Sequence, residues 1–345
     1  MNTPIFVVGT PRSGTTLTAR ILGRHSGIFM PGETHFFDDI YARRQEIGEL
    51  GDMRAAEVIA ARLDTLYERF NEPADQQRIR DLGGESALRQ QLGTSCHTYG
   101  DVLSRFMQFQ IPSPTLTNIR WGNNVPKDIF YVKDILQFYP EAKFIVCIRD
   151  IRDFLFSYQN RWKTTSPDNR ERIKKLYHPI VTSLLWKAAM KQVRVAQALV
   201  PLDNLMMIRY EDLATQPETT VRTLCQFLKE PYEEEMLRVE ANNSSFEIRQ
   251  QGIFSTSVQR WRQHLSHEQV YIAERIARPE LEQLGYQMAN VRPNPFKLLY
   301  IIASFPFALG RALHANRHVR GPILPYLKRR VLAFVSSAKK ASSPL

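Results

Sequence analysis

The chain alternates short, wholly apolar runs with longer amphipathic ones. "IFVVG" at 5–9, "KFIVCIRD" at 143–150 and "NLMMIRY" at 204–210 are continuous, rich in β-branched residues and too short for helices. Such runs are strands buried on both faces. Helical spacing occupies 14–24, about 127 to 138, the stretch after Asp150 through about Trp162, roughly 178–199, 216–228 and 267–285. "LTNIRWGNNVPKDIF", 116–130, adds an extended segment and a turn before its helix. Strands that alternate with helices imply right-handed crossovers and a parallel sheet covered on both faces. Polar, helix-rich segments at 52–71, 85–92 and 98–110 interrupt that rhythm and read as a helical insertion over about 40–115.

The first strand runs into "GTPRSGTTL". Gly9 and Gly14 keep the spacing of the phosphate loop G-x-x-x-x-G-K-[ST] and Thr16 holds the final hydroxyl, but Thr15 stands where the lysine belongs. Main-chain N–H groups of such a turn, with the positive end of the next helix, bind an anion by themselves. Ser13, Thr15 and Thr16 add hydroxyl donors, and Arg12 adds a planar cation. The point charge that grips the outer phosphates of a nucleoside triphosphate is missing. The best strands end in Arg149 and Tyr210 rather than in an acid that would hold Mg²⁺. The pattern predicts an α/β, three-layer P-loop-type fold with a central mostly parallel sheet, and it disfavours a metal-dependent NTPase.

A second candidate lies in "VCIRDIRDFLFSY", 146–158. Arg149 ends a strand, where open α/β sheets bind their ligands, and Ser157 follows eight residues on in the next helix. Taken alone, an Arg-Asp run at a helix start reads equally well as a cap and ion-pair arrangement.

Composition narrows the class. With 345 residues, 43% hydrophobic and 23% charged, the chain has material for a sizeable core. Cys96, Cys147 and Cys225 are far apart with no C-x-x-C pair, so neither a disulfide framework nor a zinc site is indicated. That usage, with no leader-like segment ahead of the first strand, predicts a cytoplasmic address. The net charge of +11 is concentrated at one end: residues 292–345 carry ten Lys or Arg and no acid. The remaining body, 1–291, is near neutral, which argues against nucleic acid as its partner.

Together, "TPRSGTTL" and "IRDIRDFLFSY" resemble the sulfotransferases that use 3′-phosphoadenosine 5′-phosphosulfate. The resemblance runs over roughly 4–287, with no matching motif between Phe37 and Ile119. It implies that Arg12, Ser13, Gly14, Thr15 and Thr16 hold the 5′-phosphosulfate and that Arg149 and Ser157 hold the 3′-phosphate. Tyr210, in "IRYEDLATQPE", falls near the nucleotide, and Arg260 falls in "SVQRWRQHL", which is similar to the family's late closing loop. Such a donor carries less charge than a triphosphate and needs no metal, which accounts for the absent lysine.

Sulfuryl transfer needs an in-line nucleophile, charge stabilisation and a base for the acceptor hydroxyl. "MPGETHFFDD", 30–39, offers Glu33 and His35. Glu33 matches the base of the carbohydrate and tyrosine branches, and His35 shares its face in an extended stretch. Glu33 also reads as a cap for a helix at Phe36–Tyr41. The family's lysine in "WG-x-K-x-P" is Asn124 here, so either Lys127 reaches in or the charge rests on Arg12 and the loop.

The tail, 292–345, interleaves apolar and basic residues. Its apolar stretch 296–310 is Pro-interrupted and too short to span a bilayer, and 296–340 reads as an interfacial contact with anionic lipid at the inner membrane face. That points to a glycolipid or other lipid-linked alcohol as acceptor. Two competing readings stand beside this one: a metal-dependent P-loop kinase or NTPase, and a non-catalytic nucleotide-binding, membrane-associated protein.

Overall fold

The computed structural model describes residues 3–70, 72–93, 96–111, 119–165, 167–239, 253 and 255–315. Five strands form one parallel sheet: β1 (Ile5–Gly9), β2 (Ile28–Phe29), β3 (Arg120–Asn124), β4 (Lys143–Ile148) and β5 (Leu205–Arg209), in the order β2-β3-β1-β4-β5. Its crossovers carry α1 (Thr15–Leu22), α2 (Phe36–Asp39), the insertion helices α3 (Met53–Asp64), α4 (Pro73–Asp81), α5 (Gly84–Leu92) and α6 (Tyr99–Phe109), then α7 (Val132–Phe138), α8 (Ile151–Gln159), α9 (Pro167–Leu176) and α10 (Pro179–Leu199). After β5 come α11 (Tyr210–Thr215), α12 (Pro217–Leu228), α13 (His267–Gln283) and α14 (Pro295–Ala315).

β1 is central and fully buried, and its alternation builds both layers. Ile5 and Val7 pack with Ile21 and Leu22 of α1 and with Val221, Leu224 and Leu228 of α12. Phe6 points the other way, its ring 5.9, 5.8 and 5.6 Å from those of Trp121, Tyr139 and Phe144. Burying such a ring is worth about 1.5–3 kcal/mol. The expected three-layer α/β architecture is therefore present. The insertion is held by its own apolar stripe, with Ile59, Leu63, Ile79, Leu88 and Phe106 fully or almost fully buried. A reciprocal Thr98–Asp101 cap starts α6. Residues 112–118, which lie between α6 and β3, are outside the described residues.

Contacts divide the chain into two compact units, Met1–Phe154 with Trp186–Arg260, and Leu155–Leu185 with Trp261–Leu345. The sheet and the phosphate loop belong to the first. In the second, α13 opens with a reciprocal Ser266–Gln269 cap, and Gln269 donates to the Tyr177 hydroxyl at 2.7 Å.

Three elements differ from the sequence reading. α9, "PDNRERIKKL", has too few apolar residues to show a helical stripe, but its proline stands at the first helical position, where φ is preset. Tyr210 opens α11 rather than ending the third strand. The apolar stretch 296–310 is not broken by proline: α14 continues through Pro306 for 21 residues. A single proline removes one main-chain hydrogen bond, and the flanking turns carry the helix across the gap.

β1 ends in Gly9 at φ +143°, and a Cβ there would stand 2.2 Å from the Cys147 carbonyl oxygen. Gly9→Ala is expected to destabilise the fold by about 2 kcal/mol or more, read as a lowered midpoint in urea denaturation with an unchanged slope.

Candidate active site

The turn after β1 is shaped by backbone geometry rather than by apolar packing. Arg12 and Gly14 sit at φ +69° and +91°. Ser13 folds back on Thr10, its N–H and hydroxyl both reaching the Thr10 carbonyl, at 3.2 and 2.6 Å, while the two hydroxyls bond to each other. Gly14 is the N-cap of α1 and brings no capping side chain. The first N–H groups of the helix, with the Ser13, Thr15 and Thr16 hydroxyls, are therefore grouped at its positive end. A Cβ on Gly14 would stand 2.6 Å from the Tyr210 ring, so that ring closes one side of the turn.

Arg149 leaves the end of β4, which neighbours β1 through the pair Gly9↔Cys147. It is 7% exposed. Its guanidinium donates to two main-chain carbonyls, Arg12 at 3.2 Å and Ser257 at 2.7 Å, and lies 4.1 Å over the Tyr210 ring. Its Nε is buried without a hydrogen-bond partner among the described residues. The neighbouring charges cancel among themselves: Arg152 forks onto Asp150 at 2.6 and 2.9 Å, and the Asp150 N–H donates to Glu211. "RDIRD" thus contains both arrangements weighed from the sequence. Asp150 and Arg152 form the ion pair, and Arg149 is a buried cation held by dipoles.

The late loop completes this cage. The Ser257 hydroxyl bonds to that of Tyr210, and the Gln259 N–H donates to Asp153 at 2.7 Å with Gln259 at φ +58°. Sequence reasoning missed Ser257; the signal was its place at the head of "SVQRWRQHL". Arg260 ends the loop, half-buried, its Nε donating to the Thr256 carbonyl. Ser157 lies on α8 in the second unit. Cys147 is no nucleophile: burial pushes its thiol up to about 12.

Glu33 and His35 meet, Oε2 to Nε2 3.0 Å apart. Glu33 does not cap α2, whose N-cap is His35 at φ +48° without a side-chain cap bond. Buried Thr34 between them donates to the Asn123 Oδ1 at 2.8 Å. Asn124 pairs with Val7, so this anchor lies at the carboxyl edge of the strand next to β1. The insertion grips the same loop from the other side: the Gly32 N–H donates to Asp75 at 3.1 Å, and the Glu33 N–H bonds to Glu72, whose carboxyl is raised by burial and then by the Glu33 charge. Lys127 turns outward to Asp38, 3.3 Å away, rather than toward the buried Asn124. Among the described residues no cluster of three His, Cys, Asp or Glu is placed to hold a metal.

A glycine-shaped turn on a central parallel strand, with a caged guanidinium on the next, gives the chain a fold of the P-loop-like class. A model described as the Sulfotransferase family matches residues 4–234, and the chain belongs to the sulfotransferase family. Protein-tyrosine sulfotransferase 1 of Danio rerio is 26% identical over 239 residues, covering 68% of this chain and 56% of its own. An uncharacterized protein of Aquifex aeolicus (strain VF5) is 23% identical over 282 residues, 76% of this chain and 30% of that one. The chain thus spans less than two-thirds of the length of these two relatives. Among solved structures, the sulfotransferase domain from the curacin biosynthetic pathway superposes with TM-score 0.52 at 20% identity, over 84% of this chain and 99% of that one. The sulfotransferase domain from the Synechococcus PCC 7002 olefin synthase gives 0.51 at 18%, over 80% and 95%. At such identities these two share the fold.

Proposed function

We propose that this chain moves a sulfuryl group from 3′-phosphoadenosine 5′-phosphosulfate to an acceptor hydroxyl by in-line displacement. One observation carries the reading: a buried guanidinium, its Nε without a hydrogen-bond partner among the described residues, beside a phosphate turn that has no lysine. Two separate anion positions, neither rich in cations, suit a donor whose two phosphates are far apart better than a triphosphate. In this reading the amides and hydroxyls of 12–16 take the phosphosulfate, Arg149 takes the 3′-phosphate and Tyr210 borders the nucleotide. Glu33 accepts the acceptor proton while His35 holds its carboxylate in place, a role worth about 10²–10⁴ in rate. With Lys127 drawn to Asp38, Arg12 and the helix N-terminus carry the charge that develops on the transferring group.

A second observation favours a lipid surface as partner. α14 is long and apolar enough to cross a membrane by length and composition. Phe296, Leu299, Tyr300, Ile302 and Phe307 lie open along it. Its other stripe is tied down within its own unit, Ser304 to His178 at 3.2 Å and Arg311 to the Lys175 carbonyl at 3.0 Å. A helix docked along one side lies in the interface plane, with the acid-free basic tail matched to anionic headgroups at the cytoplasmic face. The acceptor class this implies is an amphiphile, a glycolipid or lipid-linked alcohol.

Adenosine 3′,5′-bisphosphate is expected to bind without Mg²⁺ in calorimetry, and Arg149→Ala to weaken it by about 2 kcal/mol, about thirtyfold in Kd. Tight binding of ATP–Mg²⁺ with none of the bisphosphate would decide for a kinase or NTPase. Glu33→Gln is expected to lower transfer of labelled sulfate into a lysate lipid fraction at least about a hundredfold while bisphosphate affinity stays unchanged. Donor binding with no transfer to any fraction by the unaltered chain would mean a non-catalytic protein. The full chain should float with vesicles containing phosphatidylglycerol, not with pure phosphatidylcholine, and alkaline carbonate should release it. Retention through carbonate would mean that α14 spans the bilayer.

A further inference from the structure

Beneath the 33–36 loop runs a chain of buried polar groups that the reaction does not use. The Phe36 N–H donates to the Thr34 hydroxyl at 3.3 Å, and that hydroxyl donates to the Asn123 Oδ1 at 2.8 Å. The Asn123 Nδ2 donates in turn to the Asp128 Oδ2 at 2.8 Å. Thr34 and Asn123 are 0% exposed and Asp128 is 1% exposed.

We propose that Asp128 is a positioning residue, which orients Asn123 and through it Thr34, and so sets where the Glu33–His35 pair stands. The argument is one of bond direction. A carboxyl oxygen that only accepts forces the Asn123 amide to present its NH₂ downward and its oxygen to Thr34. Thr34 must then donate its proton, which leaves its lone pair for the Phe36 N–H. Reversing the amide would lose the bond that Thr34 donates and would set the amide oxygen against the accepting Asp128 Oδ2. The proposal rests on the reading of Glu33 as the base.

Asp128 does this as a neutral acid, with its proton on Oδ1, a buried oxygen with no hydrogen-bond partner among the described residues. Burial raises this carboxyl well above its usual range, and the charges of Asp38 on α2 and Glu33 on the loop raise it further, against a smaller opposing effect of Lys127 on its own turn. An ionised carboxylate here would be enclosed with one amide donor and two like charges nearby. The sign of the pH effect follows. The unfolded chain releases this proton near about 3.9, whereas the folded chain keeps it. The native state therefore loses stability from this group as pH rises above that value.

Asparagine copies the neutral acid, one acceptor and one donor on the same frame. Three measurements on the full chain test the proposal. Infrared difference spectra of wild type minus Asp128→Asn at neutral pH should show a protonated carboxyl band. Amide exchange at Phe36 should quicken about tenfold or more in Asp128→Ala and in Thr34→Val, and stay near wild type in Asp128→Asn. The melting temperature of Asp128→Asn should gain on wild type as pH rises from about 4 to 8. No such band, a melting gap that does not change with pH, or Asp128→Asn as disruptive as the alanine variant, would overturn it. Should Asp128→Ala fail to fold, Thr34→Val probes the same chain from its other end, and unchanged exchange there would also overturn it. None of these readouts needs turnover, so an active Glu33→Gln, which would remove the base, is a separate result.

Discussion

The arrangement of the candidate site depends on keeping one buried positive charge without a carboxylate to satisfy it. Among the described residues the Arg149 guanidinium meets weak partners: the Arg12 and Ser257 carbonyls and the face of Tyr210. Dipoles steady such a group without neutralising it, so the attraction for an incoming anion is retained. Much of the nearby structure serves to keep stronger partners away. Asp150 is occupied by Arg152, Glu211 by the Asp150 N–H and Asp153 by the Gln259 N–H. Fully buried Trp186 holds the Arg149 carbonyl at 3.1 Å and so fixes the direction in which the side chain leaves the strand.

The acceptor side is organised on the opposite rule. There the charges are negative and shared between the body and the insertion: Glu33, Glu72 and Asp75 converge on the 32–33 main chain, with Arg78 2.6 Å from Asp75, the Arg20 charge acting on Glu72 and His35 against Glu33. Gly32 permits that approach, since a Cβ would stand 2.7 Å from an Asp75 oxygen. The loop that carries the candidate base is thus clamped by the segment whose sequence matched no motif.

Two-residue β2 carried no local signal, whereas β1, β4, β5, the turn and Arg149 were legible because each is local: a short apolar run, a glycine spacing, a cation at a strand end. Ser257 was not, because it acts through its carbonyl and through a partner 47 residues away in Tyr210. The Thr34–Asn123–Asp128 chain was hidden likewise. Asn123 and Asp128 looked like polar members of a turn, and only the register of β3 against β1 puts them beneath the loop. Lys127, a natural substitute for the missing family lysine by proximity, is drawn off by Asp38 on a separate element. The continuity of α14 escaped for a different reason: proline is a strong local signal, and a helix with apolar turns on both sides overrides it.

The turn and the cage around Arg149 are built largely from atoms that every amino acid possesses. Carbonyls steady the guanidinium, amides line the turn, and only the glycines and a few side chains are specific requirements. A binding surface made of peptide groups travels with the backbone trace rather than with the letters of the sequence.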